Sequence, residues 1–147
     1  MPAQRLPYVL LCFLVSLPAF AKCPEKPILP IVEAGDRAGL QMLAEELKDC
    51  PKRLDSLGLV YHTLCVLSYH DGDMPQAAQE MQLAVDYRTK AFAGKAHEDL
   101  GRSCFNLGYF YEQLEDYGQA LTYYQTAADI QQQLKNRVLH RSAALKV

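Results

Sequence analysis

Residues 107–127 read LGYFYEQLEDYGQALTYYQTA, and the chain holds a second version of this segment 43 residues earlier. When Leu64-Cys65 is aligned with Leu107-Gly108, six identical pairs fall in one register, most of them at helical spacings. The pairs are Asp73 and Asp116, Gln76 and Gln119, Ala77 and Ala120, Gln82 and Gln125, Ala84 and Ala127, and Asp86 and Asp129. Such a repeat predicts helical units that bury their apolar faces by stacking on one another.

The later unit resembles a tetratricopeptide repeat. In that family a Leu-Gly dipeptide and a Tyr mark the first helix of a pair, and two Ala residues around an aromatic residue mark the second. The residues here that match this pattern are Leu107, Gly108, Tyr111, Ala120, Tyr124 and Ala127. The small residues let the paired helices approach closely, and the rings fill the space between pairs. The resemblance implies an all-α, right-handed solenoid of antiparallel helix pairs, with about two and a half repeats and five to six helices.

The earlier unit fits the same pattern more loosely, because Ser68 stands where the family has Tyr. The common unit has about 34 residues, whereas the period here is 43. The stretch that links the two units, residues 84–97, is similar to the longer repeats of the kinesin light chain type. From this likeness we infer architecture only.

The first 21 residues predict a secretory signal peptide. Arg5 supplies a positive charge, residues 6–20 form an apolar stretch, and Ala19-Phe20-Ala21 suits cleavage. The apolar stretch is shorter than the roughly 20 residues needed to cross a bilayer, so we expect no stable membrane span. The protein is therefore expected to be secreted or periplasmic after removal of residues 1–21.

Cysteine usage agrees with an oxidising compartment. Four cysteines follow the signal peptide, namely Cys23, Cys50, Cys65 and Cys104. Three pairings are possible, and we favour a disulfide between Cys23 and Cys50, which flank a Pro-rich segment and the helix after it. Cys65 and Cys104 fall at helix positions typical of small buried apolar residues.

The remaining chain divides into a lead-in and one helical domain. Residues 22–35 contain Pro24, Pro27 and Pro30, which predict an extended lead-in. The helical domain covers residues 36–147. Hydrophobic periodicity and turn residues predict helices that begin at Asp36 and cover about residues 52–69, 74–92, 97–111 and 117–134, with residues 135–147 either continuing the last helix or forming a sixth one.

Residues that could support chemistry are few. The group His70, Asp71 and Asp73 has too few ligands for a preformed metal cage and reads as a polar turn between helices. No triad spacing and no phosphate-binding glycine loop is present. The net charge is −2, and the basic residues form no stripe of the kind that binds nucleic acid. We therefore predict no enzymatic activity, no cofactor, no metal site and no nucleic-acid partner.

The resemblance also implies a binding face, since the first helix of each tetratricopeptide pair lines the concave surface of the array. Register then gives eight candidate binding residues: Leu59, His62, Val66, Tyr69, Arg102, Phe105, Tyr109 and Glu112. Aromatic and apolar groups dominate this set, which favours an apolar peptide or helix as the ligand. The alternative is that Phe105 and Tyr109 pack against the N-terminal segment or the last helix.

These features together predict a secreted or periplasmic interaction module, an adaptor or scaffold, that binds a protein or peptide on its concave face. One alternative is a periplasmic inhibitor or immunity protein of a partner enzyme. Another is a structural protein that self-associates into a homo-oligomer, because arrays of fewer than about three repeats are seldom stable alone.

Overall fold

The structure is a computed structural model that describes residues 23–144, with side chains through Val138. The predicted signal peptide, residues 1–21, lies outside the described residues. The described part is all helical and has no strand: α1 is Leu29–Ala34, α2 Arg37–Leu47, α3 Leu54–His70, α4 Met74–Ala91, α5 Glu98–Gln113 and α6 Tyr117–Ala144, with a 3₁₀ turn at Pro51–Arg53 between α2 and α3.

Aspartates begin three of the helices. The Asp36 carboxylate accepts hydrogen bonds from the backbone N–H groups of Ala38 and Gly39 at the start of α2. Asp73 and Asp116 cap α4 and α6 in the same way. Because each cap satisfies backbone donors that have no partner inside the helix, these positions start helices and confirm the starts predicted there.

Residues with positive φ follow α3, α4 and α5. Gly72 follows α3 with φ of 80°, and Ala93 and Gly94 follow α4 with φ of 50° and 71°. Glu115 takes φ of 61° in the turn between α5 and α6, at the position that Gly72 holds in the earlier unit. The helices of each pair can therefore reverse direction within a few residues.

The prediction of an extended lead-in was wrong for Leu29–Ala34, which forms α1. Pro30 lies in the first turn of this helix, where its missing N–H is not needed for a hydrogen bond. Gly35 ends the helix with φ of 61°. Ile31 and Val32 of α1 pack against the apolar residues of α2 and α3, and this burial favours the helix.

The helices pack in chain order, α3 with α4, α4 with α5, and α5 with α6, as an all-α solenoid. One buried cluster joins α2 to α3 and includes Leu40, Leu47 and Leu57. A second cluster runs from α3 through α6 and includes Met81 and Leu107. Cys65 and Cys104 are buried in the second cluster, as predicted for small apolar residues.

The last helix, α6, is 28 residues long and continues well beyond Leu134. The alternative in which residues 135–147 continue the preceding helix therefore holds as far as Ala144. Among the described residues, no helix combines the length and the apolar character needed to cross a membrane.

Candidate functional site

The two repeat units use different side chains at the same place between their helices. In the later unit the rings of Tyr111 and Tyr123 stack with centroids 5.6 Å apart. In the earlier unit the corresponding residues are Ser68 and Glu80, and the Ser68 hydroxyl donates a 2.6 Å hydrogen bond to the Glu80 carboxylate. A polar pair thus replaces an aromatic pair at one position of the repeat.

The Glu80 carboxylate is only 5% exposed, and it has a cationic partner. Arg37, at the start of α2, places its guanidinium 3.4 Å from the Glu80 carboxylate and donates to the Ser68 hydroxyl at 3.2 Å. The same guanidinium pairs with Asp71 at 3.0 Å. Burying a carboxylate is costly unless it is paired and hydrogen-bonded, so this network ties α2 to the first helix pair. Its polar groups therefore serve to join helices.

Val66, Tyr69 and Tyr109 line a shallow hollow between α3 and α5. Val66 is 39% exposed and Tyr69 38% exposed, while the ring centroids of Tyr69 and Tyr109 are 6.3 Å apart in an edge-to-face arrangement. Asn106 lies beside them, and the hollow has a volume of about 260 Å³. We call Val66, Tyr69, Asn106 and Tyr109 the α3–α5 patch.

A hydrogen bond with Tyr69 raises the pKa of Tyr109 above its ordinary value. Tyr69 is exposed and Tyr109 is half-buried, so part of each ring faces solvent. A patch of this kind presents apolar ring area together with polar groups that can donate or accept hydrogen bonds. Tyr residues in such a setting are favoured at protein interfaces.

Two of the predicted binding residues in α3 are less accessible. Leu59 and His62 are both half-buried, and the Nδ1 atom of His62 is buried without a hydrogen-bond partner. Burial lowers the pKa of His62 to about 4, and the positive charges of Arg88 and Arg102 add to the effect. The imidazole is therefore neutral at physiological pH.

The other three predicted residues, Arg102, Phe105 and Glu112, are exposed on α5. Glu112 accepts a 2.6 Å hydrogen bond from the Tyr124 hydroxyl of α6. The Phe105 ring lies 5.3 Å from the Tyr124 ring, centroid to centroid. Arg102 pairs with Asp99 of its own helix at 3.0 Å.

Phe105 also lines a larger hollow of about 610 Å³ between α5 and α6. Its walls include Tyr124, Ala128 and Gln131 of α6, and Gly101 and Arg102 of α5. We call Phe105, Tyr124, Ala128 and Gln131 the end groove. The eight predicted residues thus do not form one surface: Val66, Tyr69 and Tyr109 lie together, and Phe105 belongs to the end groove.

Sequence reasoning missed Asn106 and the α6 wall of the end groove. It treated only the first helix of each pair as a source of binding residues. The 43-residue register contained a signal for the groove, because Tyr124, Ala128 and Gln131 correspond to Met81, Val85 and Arg88, which lie against α5.

Both carboxylates of the group His70, Asp71 and Asp73 have structural roles. Asp71 pairs with Arg37, and Asp73 caps α4. Among the side chains that the structure describes, no three of His, Cys, Asp or Glu come together in a way that could hold a metal ion.

The cysteine thiols fall into two groups. The Cys50 thiol is buried, and a hydrogen bond with Cys23 raises its pKa to about 11. Burial raises the pKa of Cys65 to about 12 and that of Cys104 to about 11. Because the thiolate is the reactive form, neither Cys65 nor Cys104 is suited to act as a nucleophile. All four thiols are free in this structure, so the predicted Cys23–Cys50 disulfide is not formed in it.

Comparison with known proteins identifies the later unit. The model of the tetratricopeptide repeat family matches residues 101–134, which cover nearly all of α5 and the first part of α6. This match confirms the resemblance predicted from Leu107 to Ala127. No curated protein and no solved structure matches the chain significantly. Tetratricopeptide repeats suggest a protein–protein interaction module, and the family is typically non-catalytic.

Proposed function

We propose that this chain, which carries a tetratricopeptide repeat at residues 101–134, is a secreted or periplasmic adaptor or scaffold that binds another protein on the α3–α5 patch. The ligand is an apolar peptide or helix with at least one side chain small enough to enter the hollow between Tyr69 and Tyr109. The observation that carries the proposal is the aromatic pair over that hollow, in which Tyr69 is exposed and Tyr109 is half-buried.

Exposure and chemistry of the patch support this assignment. Val66 and Tyr69 lie among the exposed large apolar side chains of the chain, and Asn106 adds an amide group at the edge of the hollow. Interfaces are enriched in aromatic residues that sit in such pockets with polar groups around them. The hollow has no charged lining residue, so a peptide that depends on a carboxylate clamp is a poor match.

Removing the two rings tests the proposal. The variant Tyr69→Ala with Tyr109→Ala should no longer retain the partner from an envelope extract of the native host, because the aromatic walls of the hollow are lost. Tyr117→Ala, which removes a 66% exposed ring at the start of α6, is the matched control and should retain it. Helical circular dichroism should be the same for all three proteins. Equal retention by the double variant and the wild type would overturn the proposal.

The compartment rests on the sequence of residues 1–21. Cleavage after Ala21 would leave Lys22 as the first residue. N-terminal sequencing of the protein from the culture medium or the periplasm should begin at Lys22. Recovery of a chain that still begins with residue 1, in the cytoplasmic fraction alone, would contradict secretion.

In that compartment we expect Cys23 and Cys50 to form a disulfide. The segment after Cys23 is held near Cys50, since Arg53 donates to the carbonyl oxygens of Pro24 and Lys26 at 3.0 and 3.2 Å. Exchange with a disulfide-bonded oxidoreductase would remove two protons and two electrons from the thiols and leave the oxidoreductase reduced.

Alkylation in denaturant without reductant tests the disulfide. Cys65 and Cys104 should be alkylated in protein purified from the secreted fraction, whereas Cys23 and Cys50 should react only after reduction. Alkylation of all four thiols before reduction would show that the disulfide does not form.

A further inference from the structure

The end groove is the repeat counterpart of a surface that is already occupied in the first helix pair. Four residues that line the end groove or its rim have counterparts 43 residues earlier in the first pair. Phe105 corresponds to His62, Tyr124 to Met81, Ala128 to Val85 and Gln131 to Arg88. In the first pair Met81, Val85 and Arg88 lie against α5. In the second pair their counterparts line an open hollow.

The way α5 sits on the first pair shows what such a surface binds. Leu100, Cys104 and Leu107 of α5 share a buried cluster with Met81 and Val85 of α4. At the edge of this contact the buried Arg88 guanidinium donates to the Asp99 carbonyl oxygen at 3.3 Å and to the Ser103 hydroxyl. The bound element is thus a helix with an apolar stripe and a small hydroxyl group beside it.

Backbone packing beneath the two surfaces is equivalent. A Cβ placed on Gly58 would lie 2.7 Å from Cγ of Arg88. One placed on Gly101 would lie 3.0 Å from Cγ2 of Ile130 and 3.3 Å from Nε2 of Gln131. Gly58 and Gly101 correspond in the repeat, as do Arg88 and Gln131. In each pair, therefore, the side chain that marks the rim of the surface crosses a glycine of the preceding helix.

Nothing in the described part of the chain covers the second surface. The first pair is followed by a turn at Ala93 and Gly94, after which α5 returns over it. At the corresponding positions, Asn136 and Arg137, α6 is still helical and runs on to Ala144. Phe105 is 57% exposed as a result, although His62 at the same position of the first pair is half-buried.

We propose that the end groove binds an amphipathic helix of a partner protein in the position that α5 takes on the first pair. The surface goes beyond the α3–α5 patch and is a second binding site. The occupying helix carries apolar residues at the spacing of Leu100, Cys104 and Leu107, and a small hydroxylated residue that meets the Gln131 amide. Ala128 is smaller than Val85, so the groove accepts a larger side chain at that point.

Charge complementarity adds a requirement at the start of the bound helix. His97 stacks on the Phe92 ring where α5 begins, with centroids 3.8 Å apart. Lys135 corresponds to Phe92 and lines a hollow that adjoins the end groove. Glu98 and Arg137 line the same hollow, so its two basic residues outweigh one carboxylate. An acidic residue near Lys135 in the first turn of the partner helix therefore fits, and it also suits the positive end of the helix dipole.

A second copy of the chain does not meet these requirements through α5, since the apolar face of that helix is already buried in its own fold. The partner helix must come from a segment whose apolar stripe is free. We therefore take a helix of another protein as the occupant, and a second copy is an outcome of the test below.

A peptide of residues 95–113 of this chain, with Cys104→Ser, is the probe. A covalent link between positions 102 and 106, outside the Leu100–Leu107 stripe, holds it helical. Titration into the full chain, followed by fluorescence anisotropy of the labelled peptide, should show saturable binding with one peptide per chain. Ala128→Arg should weaken binding at least tenfold, because the side chain fills the groove.

Three controls separate the explanations. Gln133→Arg, on the far side of α6, should bind the peptide as the wild type does. A peptide that also carries Leu100→Glu and Leu107→Glu should not bind.

The Tyr69→Ala, Tyr109→Ala variant should still bind the peptide, so a failed proposal at the α3–α5 patch can be told apart from a failed proposal at the end groove. Binding that Ala128→Arg leaves unchanged, or no saturable binding of the helical peptide, would overturn the proposal. Concentration-dependent dimerisation that Ala128→Arg abolishes would assign the groove to a second copy and would overturn it as well.

Discussion

At the scale of single residues, Gly108 lets α5 and α6 approach each other. A Cβ at this position would lie 2.8 Å from the Tyr124 ring, a distance that real Cβ contacts essentially never show. At Gly118 the nearest atom would be 3.8 Å away. The two glycines therefore differ in how much room a methyl group would have.

We expect Gly108→Ala to lower the free energy of unfolding by up to about 2 kcal/mol. Overpacking typically costs about 1–3 kcal/mol and outweighs the roughly 1 kcal/mol gained from the helix preference of Ala over Gly. Gly118→Ala is the matched control and should be neutral or slightly stabilising. Urea denaturation of the two variants measures both effects. Equal stability of the two variants would contradict the close approach at Gly108.

His62 makes stability depend on pH. Its pKa is about 4 in the folded chain and 6.5 ordinarily, so between these values the unfolded chain binds the extra proton. The contribution of neutral His62 to the free energy of unfolding is therefore fully present above its pKa in the unfolded chain, and it is lost as the pH falls from about 6.5 toward 4.

Phe occupies the corresponding position of the later unit, so His62→Phe is a conservative way to remove the titration. Relative to the wild type, the variant should gain on the order of 2–3 kcal/mol between pH 7 and pH 4, as expected for a shift of this size. The measurement is urea denaturation across that pH range. Parallel curves for wild type and His62→Phe would show that the imidazole is not protonated on unfolding.

At the scale of elements, the turns of the two pairs differ at one backbone position. Gly72 and Glu115 correspond in the repeat, and both have positive φ. A left-handed conformation costs a residue with a side chain roughly 1–2 kcal/mol, whereas glycine adopts it freely.

Glu115→Gly should therefore stabilise the protein by about 0.5–1 kcal/mol, after allowance for the greater backbone entropy that glycine loses on folding. Gln119→Gly, in the first turn of α6, should destabilise it by up to about 1 kcal/mol. Thermal unfolding of both variants gives the two signs. A lower Tm for Glu115→Gly would contradict the strain inferred at this turn.

Local signals explain which elements could be predicted. Asp36, Asp73 and Asp116 start helices through bonds within a few residues, so their sequence context was sufficient. Helix α1 was missed because Pro30 reads as a breaker unless its place in the first turn is known. The burial of Glu80 was also beyond prediction, because it depends on Arg37, a partner 43 residues away.

The same distinction between local signals and long-range packing applies to the candidate site. Val66, Tyr69 and Tyr109 followed from register within the first helices. The end groove could not be predicted without knowing how α5 packs on α4. Only that contact shows which face of α6 is left without a neighbouring helix. Hydrophobic periodicity does not identify residues whose position in a site depends on packing between helices that are distant in sequence.

At the scale of the whole molecule, the array is short. Arrays of fewer than about three repeats are seldom stable alone, and here α1 and α2 complete one end while the end groove leaves the other open. The Arg37 network and the Lys26–Glu46 pair attach the N-terminal elements to the first helix pair and to each other. Among the described residues, one end of the solenoid is thus covered by α1 and α2, and the other exposes the end groove.

The central claim is that a partner protein lies on the α3–α5 patch. Site-specific photo-crosslinking in the native host tests it, with the photoreactive residue at Val66 and, as control, at Gln133 on the outer side of α6. We expect a discrete protein adduct from position 66 that is absent from position 133 and is lost when Tyr69→Ala and Tyr109→Ala are added. An adduct of the same protein from position 133, undiminished by those two substitutions and absent from position 66, would contradict it.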